Sequence, residues 1–137
     1  MHRRFTAFLG ALALGAFTLA ASSQPAFADD RSERSAAWAY HFMVYQHDDF
    51  KGGYDGFKAT DRNLANNRWL DATGSPNNGI SSVNNNTNYH VYMYADAAKV
   101  GSNKCTGGRY ISAPNSEDRD LTNNGFDNRA GCIVFVK

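Results

Sequence analysis

Hydrophobic and polar positions along this chain alternate loosely over short runs, and no stretch keeps the 3.6-residue period of a capped amphipathic helix. Residues 39–45 and 90–94 are two runs rich in aromatic and β-branched side chains, and both read as strands. Shorter strand candidates follow at 54–58, 81–84, 108–111 and 132–136, each bounded by Gly, Asn, Asp or Pro. The linkers at 63–67, 77–79, 84–86 and 123–125 are dominated by asparagine and glycine, which tolerate the left-handed conformations of tight turns. Helix is therefore expected to be minor and the fold class all-β. One of these turns, Asn85-Asn86-Thr87, also matches a glycosylation acceptor.

The N-terminus has a different pattern. Met1-His2-Arg3-Arg4 is cationic, residues 5–21 are apolar or small without a charge, and Gln24-Pro25-Ala26-Phe27-Ala28 offers an A-x-A cleavage site. This predicts a signal peptide over 1–28, cleavage near Ala28 and secretion. The apolar run is shorter than the roughly 20 residues of a spanning helix, so no membrane-embedded mature protein is expected. Residues 29–37 read as a flexible leader, and 38–137 as one domain.

Charge and cysteine content narrow the class. The 137 residues carry 14 Lys+Arg and 13 Asp+Glu. Loss of the first 28 removes Arg3 and Arg4 and leaves 109 residues with twelve basic and 13 acidic side chains, a charge of about −1. That balance argues against a nucleic-acid or anionic-membrane partner, both of which select a basic surplus. Cys105 and Cys132 are the two cysteines, and in an exported chain they are expected to form a disulfide. A loop of 27 residues corresponds to a stabilisation of about 3–4 kcal/mol.

An internal repeat is visible when the two long strands are superposed. Tyr45, Phe50 and Gly52 map to Tyr94, Lys99 and Gly101 at an offset of 49, and Asn77-Asn78-Gly79-Ile80-Ser81-Ser82 maps to Asp127-Asn128-Arg129-Ala130-Gly131-Cys132 at an offset of 50. Two halves, about 39–86 and 87–137, each with about four short strands, predict two packed sheets. The pattern Tyr45-x-x-x-x-Phe50-x-Gly52, followed by Asn77 to Ser82, resembles the βγ-crystallin Greek-key signature. The resemblance implies a sandwich of two Greek-key motifs and a Ca2+ cofactor. In that family each ion takes a hydroxyl from one motif and a side chain plus the following carbonyl from the other. It therefore implies one site at Ser81, Asn128 and the Arg129 carbonyl. A degraded second site has Asn78 and the Gly79 carbonyl but only Gly131 opposite. With so few acidic ligands the expected affinity is that of extracellular modules, with a Kd of roughly 0.1–1 mM.

Residues 78–82, the asparagines at 84–86, Val91 to Tyr94, Cys105 and the run from Leu121 to Cys132 further resemble the small exported proteins grouped with the actinobacterial metalloproteinase inhibitor. Many members also carry an N-terminal cysteine pair, which this chain lacks. The resemblance implies a monomeric inhibitor of an extracellular peptidase that offers a rigid loop to the protease cleft. The candidate loop spans 99–107, with Lys99, Val100, Lys104, Cys105 and Thr106 as contact residues. The alternative is a Ca2+-binding structural or toxin-like module without inhibitory activity. No enzyme is expected: His41, His47 and His90 are scattered, and neither H-E-x-x-H nor G-x-S-x-G occurs. His47-Asp48-Asp49 reads as a solvated turn at a hairpin tip.

Overall fold

A computed structural model describes residues 37–137; the expected signal peptide and all but the last residue of the expected leader lie outside the described residues. Seven strands follow in order: β1 (Phe42–His47), β2 (Lys51–Phe57), β3 (Ser82–Asn85), β4 (His90–Asp96), β5 (Thr106–Ser112), β6 (Ser116–Asp118) and β7 (Cys132–Val136). They form two antiparallel sheets, one ordered β2-β1-β3-β6 and the other β5-β4-β7. Three short 3-10 turns, at Asp48–Phe50, Leu64–Asn66 and Leu121–Asn124, connect them. The all-β expectation holds, and each of the six predicted strands overlaps an observed one.

β6 was not foreseen. Its residues, Ser116-Glu117-Asp118, carry no apolar signal and form a strand only because the edge of β3 is there to pair with, Val83 opposite Asp118 and Asn85 opposite Ser116. The Tyr110 hydroxyl donates to Asp118 at 3.0 Å and helps hold it. The opposite exchange occurs on the other side, where Asp61 of the first half bridges Ile133 on β7. Each half thus lends its third segment to the other half's sheet.

Alternation along the paired strands sets the core. Phe42 and Val44 of β1, and Val91 and Met93 of β4, point between the sheets and are fully buried. Phe57, Leu64, Ile80 and Val83 from the first half meet Leu121, Phe126, Ala130 and Ile133 from the second in one cluster. Burial of each large side chain contributes about 1.5–3 kcal/mol before chain entropy is counted. Leu64 and Leu121 enter the core from matching 3-10 turns, capped by the Asn63 side chain on the Ala65 N–H and the Asp120 side chain on the Thr122 N–H.

Asn85, the would-be glycosylation acceptor, is fully buried. Its amide donates to the Tyr89 and Ala113 carbonyls, each at 2.9 Å, and its Oδ1 accepts from the Thr87 N–H and hydroxyl. It is a structural link between the halves and is closed to modification in the folded domain.

The register also corrects the repeat. His47 pairs with Lys51 and Asp96 with Thr106 across matching irregularities. Gly52 and Gly107 follow those pairs with φ of +78° and +86°, a conformation that side chains resist. Gly107, not Gly101, is therefore the counterpart of Gly52, and the second hairpin carries six extra residues ahead of it. The candidate loop is that insertion.

Candidate functional site

The two Asn-rich turns interlock. Asn78 and Asn128 both adopt φ of +54°, which asparagine tolerates better than most residues. Each donates its backbone N–H to the other turn: Asn78 to the Ala130 carbonyl at 2.8 Å, Asn128 to the Ile80 carbonyl at 2.9 Å. The next residues continue the symmetry, with the Ser81 N–H on the Tyr45 carbonyl and the Gly131 N–H on the Tyr94 carbonyl.

This exchange brings Ser81, buried at 6 % exposure, against Asn128, its Oγ donating to Oδ1 at 3.4 Å. Two oxygens each about 2.4 Å from a Ca2+ ion and at about a right angle stand roughly 3.4 Å apart, so this pair fits a shared hard cation. Beside it, Asp127 Oδ2 accepts from the Asn128 amide at 2.9 Å, while Asp127 Oδ1 is buried without a hydrogen-bond partner. Asp127, whose other carboxylate oxygen accepts from the Asn128 amide, thus leaves one buried oxygen unpartnered, and hydroxyl, amide and carboxylate oxygens are donors of the kind Ca2+ takes. The Arg129 guanidinium is occupied elsewhere, donating to the Gly125 carbonyl at 3.0 Å and lying over the Phe126 ring.

Negative charge gathers around this turn from elements far apart in sequence. Desolvation, followed by the carboxylates of Asp120, Asp127 and Asp49, pushes the Asp48 carboxyl above the usual carboxylate range, with His47 opposing them. The Asp49 N–H donates to the Arg119 carbonyl at 2.9 Å and anchors the first hairpin next to the Asp120 turn. Among the described residues no group of three or more His, Cys, Asp or Glu side chains could by itself hold a metal ion. The candidate site depends instead on hydroxyl, amide and carbonyl oxygens, with the carboxylates supplying field.

The partner position has no hydroxyl for a steric reason. A Cβ on Gly131 would stand 2.6 Å from the Ala95 carbonyl oxygen, so no side chain fits without moving backbone. Asn78 and the Gly79 carbonyl remain on their side of the turn, facing a glycine that cannot be a serine.

The loop residues lie at the end of the second hairpin. Lys99, Val100 and Lys104 are exposed, Val100 completely so, and Thr106 begins β5. Cys105 is bridged to Cys132 with a Cα separation of 6.2 Å. Three further bonds shape the loop: the Ala98 N–H to the Arg62 carbonyl, Arg62 Nε to the Asn103 carbonyl at 3.0 Å, and the Ser102 N–H to the Lys99 carbonyl. The disulfide fits oxidising surroundings. The involvement of Asp48 and Asp120 was not visible in the sequence, where Asp48 is an ordinary turn residue; only the docking of the hairpin on the second half assembles the carboxylates.

No family model and no curated protein matches the chain. Solved structures do. A structure from work on the evolution of the eye-lens βγ-crystallin domain fold superposes with a TM-score of 0.58 at 15 % identity, over 72 % of this chain and 87 % of the other. The fold is that of the βγ-crystallins. A βγ-crystallin from an archaeon gives 0.53 at 18 % identity over 72 % and 99 %. The N-terminal domain of protein S gives 0.51 at 20 % over 71 % and 96 %. At these identities the likeness is one of fold.

Proposed function

We propose that the chain is an exported βγ-crystallin-like binding module that takes one Ca2+ ion between its two turns. The observation that carries this reading is the Ser81–Asn128 contact, formed across the reciprocal turns and flanked by the unpartnered Asp127 Oδ1. Ser81, Asn128 and the Arg129 carbonyl would hold the ion, and Asp48, Asp120 and Asp127 would attract it. Because the ligands come from both halves, binding stabilises the interface between them. At 10 mM Ca2+ and a Kd of about 0.5 mM the gain is on the order of 2 kcal/mol. Differential scanning fluorimetry in 10 mM Ca2+ and in chelator tests this. A rise of several degrees that is lost in Asn128→Ala supports the reading, and identical melting temperatures dismiss it.

A second reading, inhibition of an extracellular metalloendopeptidase, is favoured by one specific feature. The six-residue insertion holds Val100 and its flanking lysines clear of the domain, between the disulfide and the Arg62 bonds. A loop constrained at both ends loses little entropy on entering a cleft. Residual activity of a thermolysin-type protease with stoichiometric protein is the direct assay. Inhibition that survives replacement of residues 99–104 by Gly and Ser would reject the loop.

A further inference from the structure

The outer face of the first sheet holds a groove of about 730 Å³, within the range of small-molecule sites. Its floor follows from the register. Tyr45 lies directly across from Tyr54, Met43 from Gly56, and Asn84 is the neighbour of Met43 on β3, all pointing away from the core. The walls come from two other segments. Trp38 lies over Gly56, where a Cβ would stand 2.6 Å from its ring, and meets Tyr54 edge-to-face at 6.0 Å. Phe50 leans on Tyr45 at 5.2 Å from the folded hairpin, backed by the Arg119 guanidinium 4.8 Å from its ring.

Two features mark this face as more than packing. Tyr40, at the groove's edge, is 77 % exposed and has a φ of +63°, and Asp71 on the rim has +58°. A bulky residue in the left-handed region costs free energy, and strain of this kind collects at binding sites. The lining is also chemically selective. It contains no lysine, arginine or histidine, so it offers an anion no counter-charge, and against the single carboxylate of Asp71 it sets the amides of Asn84 and Asn86. An aliphatic ligand would strip water from those amides and from the tyrosine hydroxyls without replacing its hydrogen bonds.

We propose that this groove binds a neutral oligosaccharide, its sugar rings laid on the aromatic floor and its hydroxyls met by Asn84 and Asn86. A pyranose has C–H faces that suit aromatic rings and a rim of hydroxyls that suit amides, which are donor and acceptor at once. The match needs no charge on either partner, in keeping with the uncharged floor.

The test is NMR titration of the purified protein with cellohexaose and chitohexaose to about 10 mM, with choline chloride as the aromatic-cage control. Saturable shifts of the Asn84 and Asn86 side-chain amides and the Met43 methyl with at least one sugar are expected. Asn84→Ala and Tyr40→Gly should each weaken that binding about tenfold or more. Tyr40→Gly removes the ring and the backbone strain together, so it does not threaten folding, and Lys104→Ala, exposed in the second hairpin's loop and absent from the lining, serves as the unaffected control. No saturable shift with either sugar, a response to choline alone, or sugar binding unchanged in both groove variants would overturn the proposal.

Discussion

Ser82 and Cys132 hold the same place in the two halves and tie down the two hairpins by different bonds. Ser82 Oγ donates to the His47 carbonyl at 2.6 Å and accepts from the Phe50 N–H at 3.0 Å, closing the short hairpin over its sheet. Cys132, fifty residues on, reaches the longer hairpin through its disulfide to Cys105. In the second half a covalent bridge to the inserted residues stands where the first half has a hydroxyl.

Removing the bridge should therefore cost both stability and loop order. The double variant Cys105→Ser, Cys132→Ser is expected to lose about 3–4 kcal/mol, the loop-entropy value for this separation. Urea unfolding measures the loss, and hydrogen exchange should rise over residues 98–106 before it rises over β4. Uniform exchange across both would contradict a local anchoring role.

On the first hairpin, Ser82→Ala leaves the His47 carbonyl and Phe50 N–H without their partner. The expected cost is about 1–3 kcal/mol, with the Tyr45–Phe50 ring contact loosened. Denaturant melts, together with the ring-current shifts of Phe50, report it.

Gly131→Ser would restore the family's hydroxyl by sequence but not by structure. Its Cβ would meet the Ala95 carbonyl, so the variant should be destabilised by about 1–3 kcal/mol and gain no second Ca2+ site. Calorimetric titration of the variant should give a stoichiometry no higher than wild type. A second binding event would show that the backbone yields.

Asp48 should make stability depend on pH in an unusual direction. Desolvation and the carboxylates of Asp120, Asp127 and Asp49 raise its native pKa above the unfolded value, so the native state keeps the proton longer. Between the two pKa values stability falls as pH rises, and at neutral pH the ionised group is a burden. In calcium-free buffer Asp48→Asn is expected to melt higher than wild type at pH 7, with the difference vanishing near about pH 3, below both pKa values. A variant that melts lower at pH 7 would refute the repulsion.

Asn85→Ala should be the most damaging of the single substitutions. It strands the Tyr89 and Ala113 carbonyls and the Thr87 N–H at a fully buried position, for an expected loss of about 2–4 kcal/mol. Thermal unfolding is sufficient to check it.

Local sequence determined the strands and the turns. Aromatic and β-branched runs place β1, β4 and β7, and Asn78 and Asn128 mark turns because asparagine accepts left-handed backbone at low cost. The resemblance of the turn motifs to the βγ-crystallin signature implied Ser81 and Asn128 as partners, and the two side chains are in contact. What tertiary structure alone decided depends on register and on approach between distant segments. β6 exists because an edge was open. Gly107 takes the role that spacing assigned to Gly101, because an insertion shifts sequence offset without shifting strand pairing. Gly131 excludes a side chain because of the Ala95 carbonyl. The Asp48 cluster and the aromatic groove join residues from several elements, and a through-space relationship of that kind leaves no periodic mark on the chain.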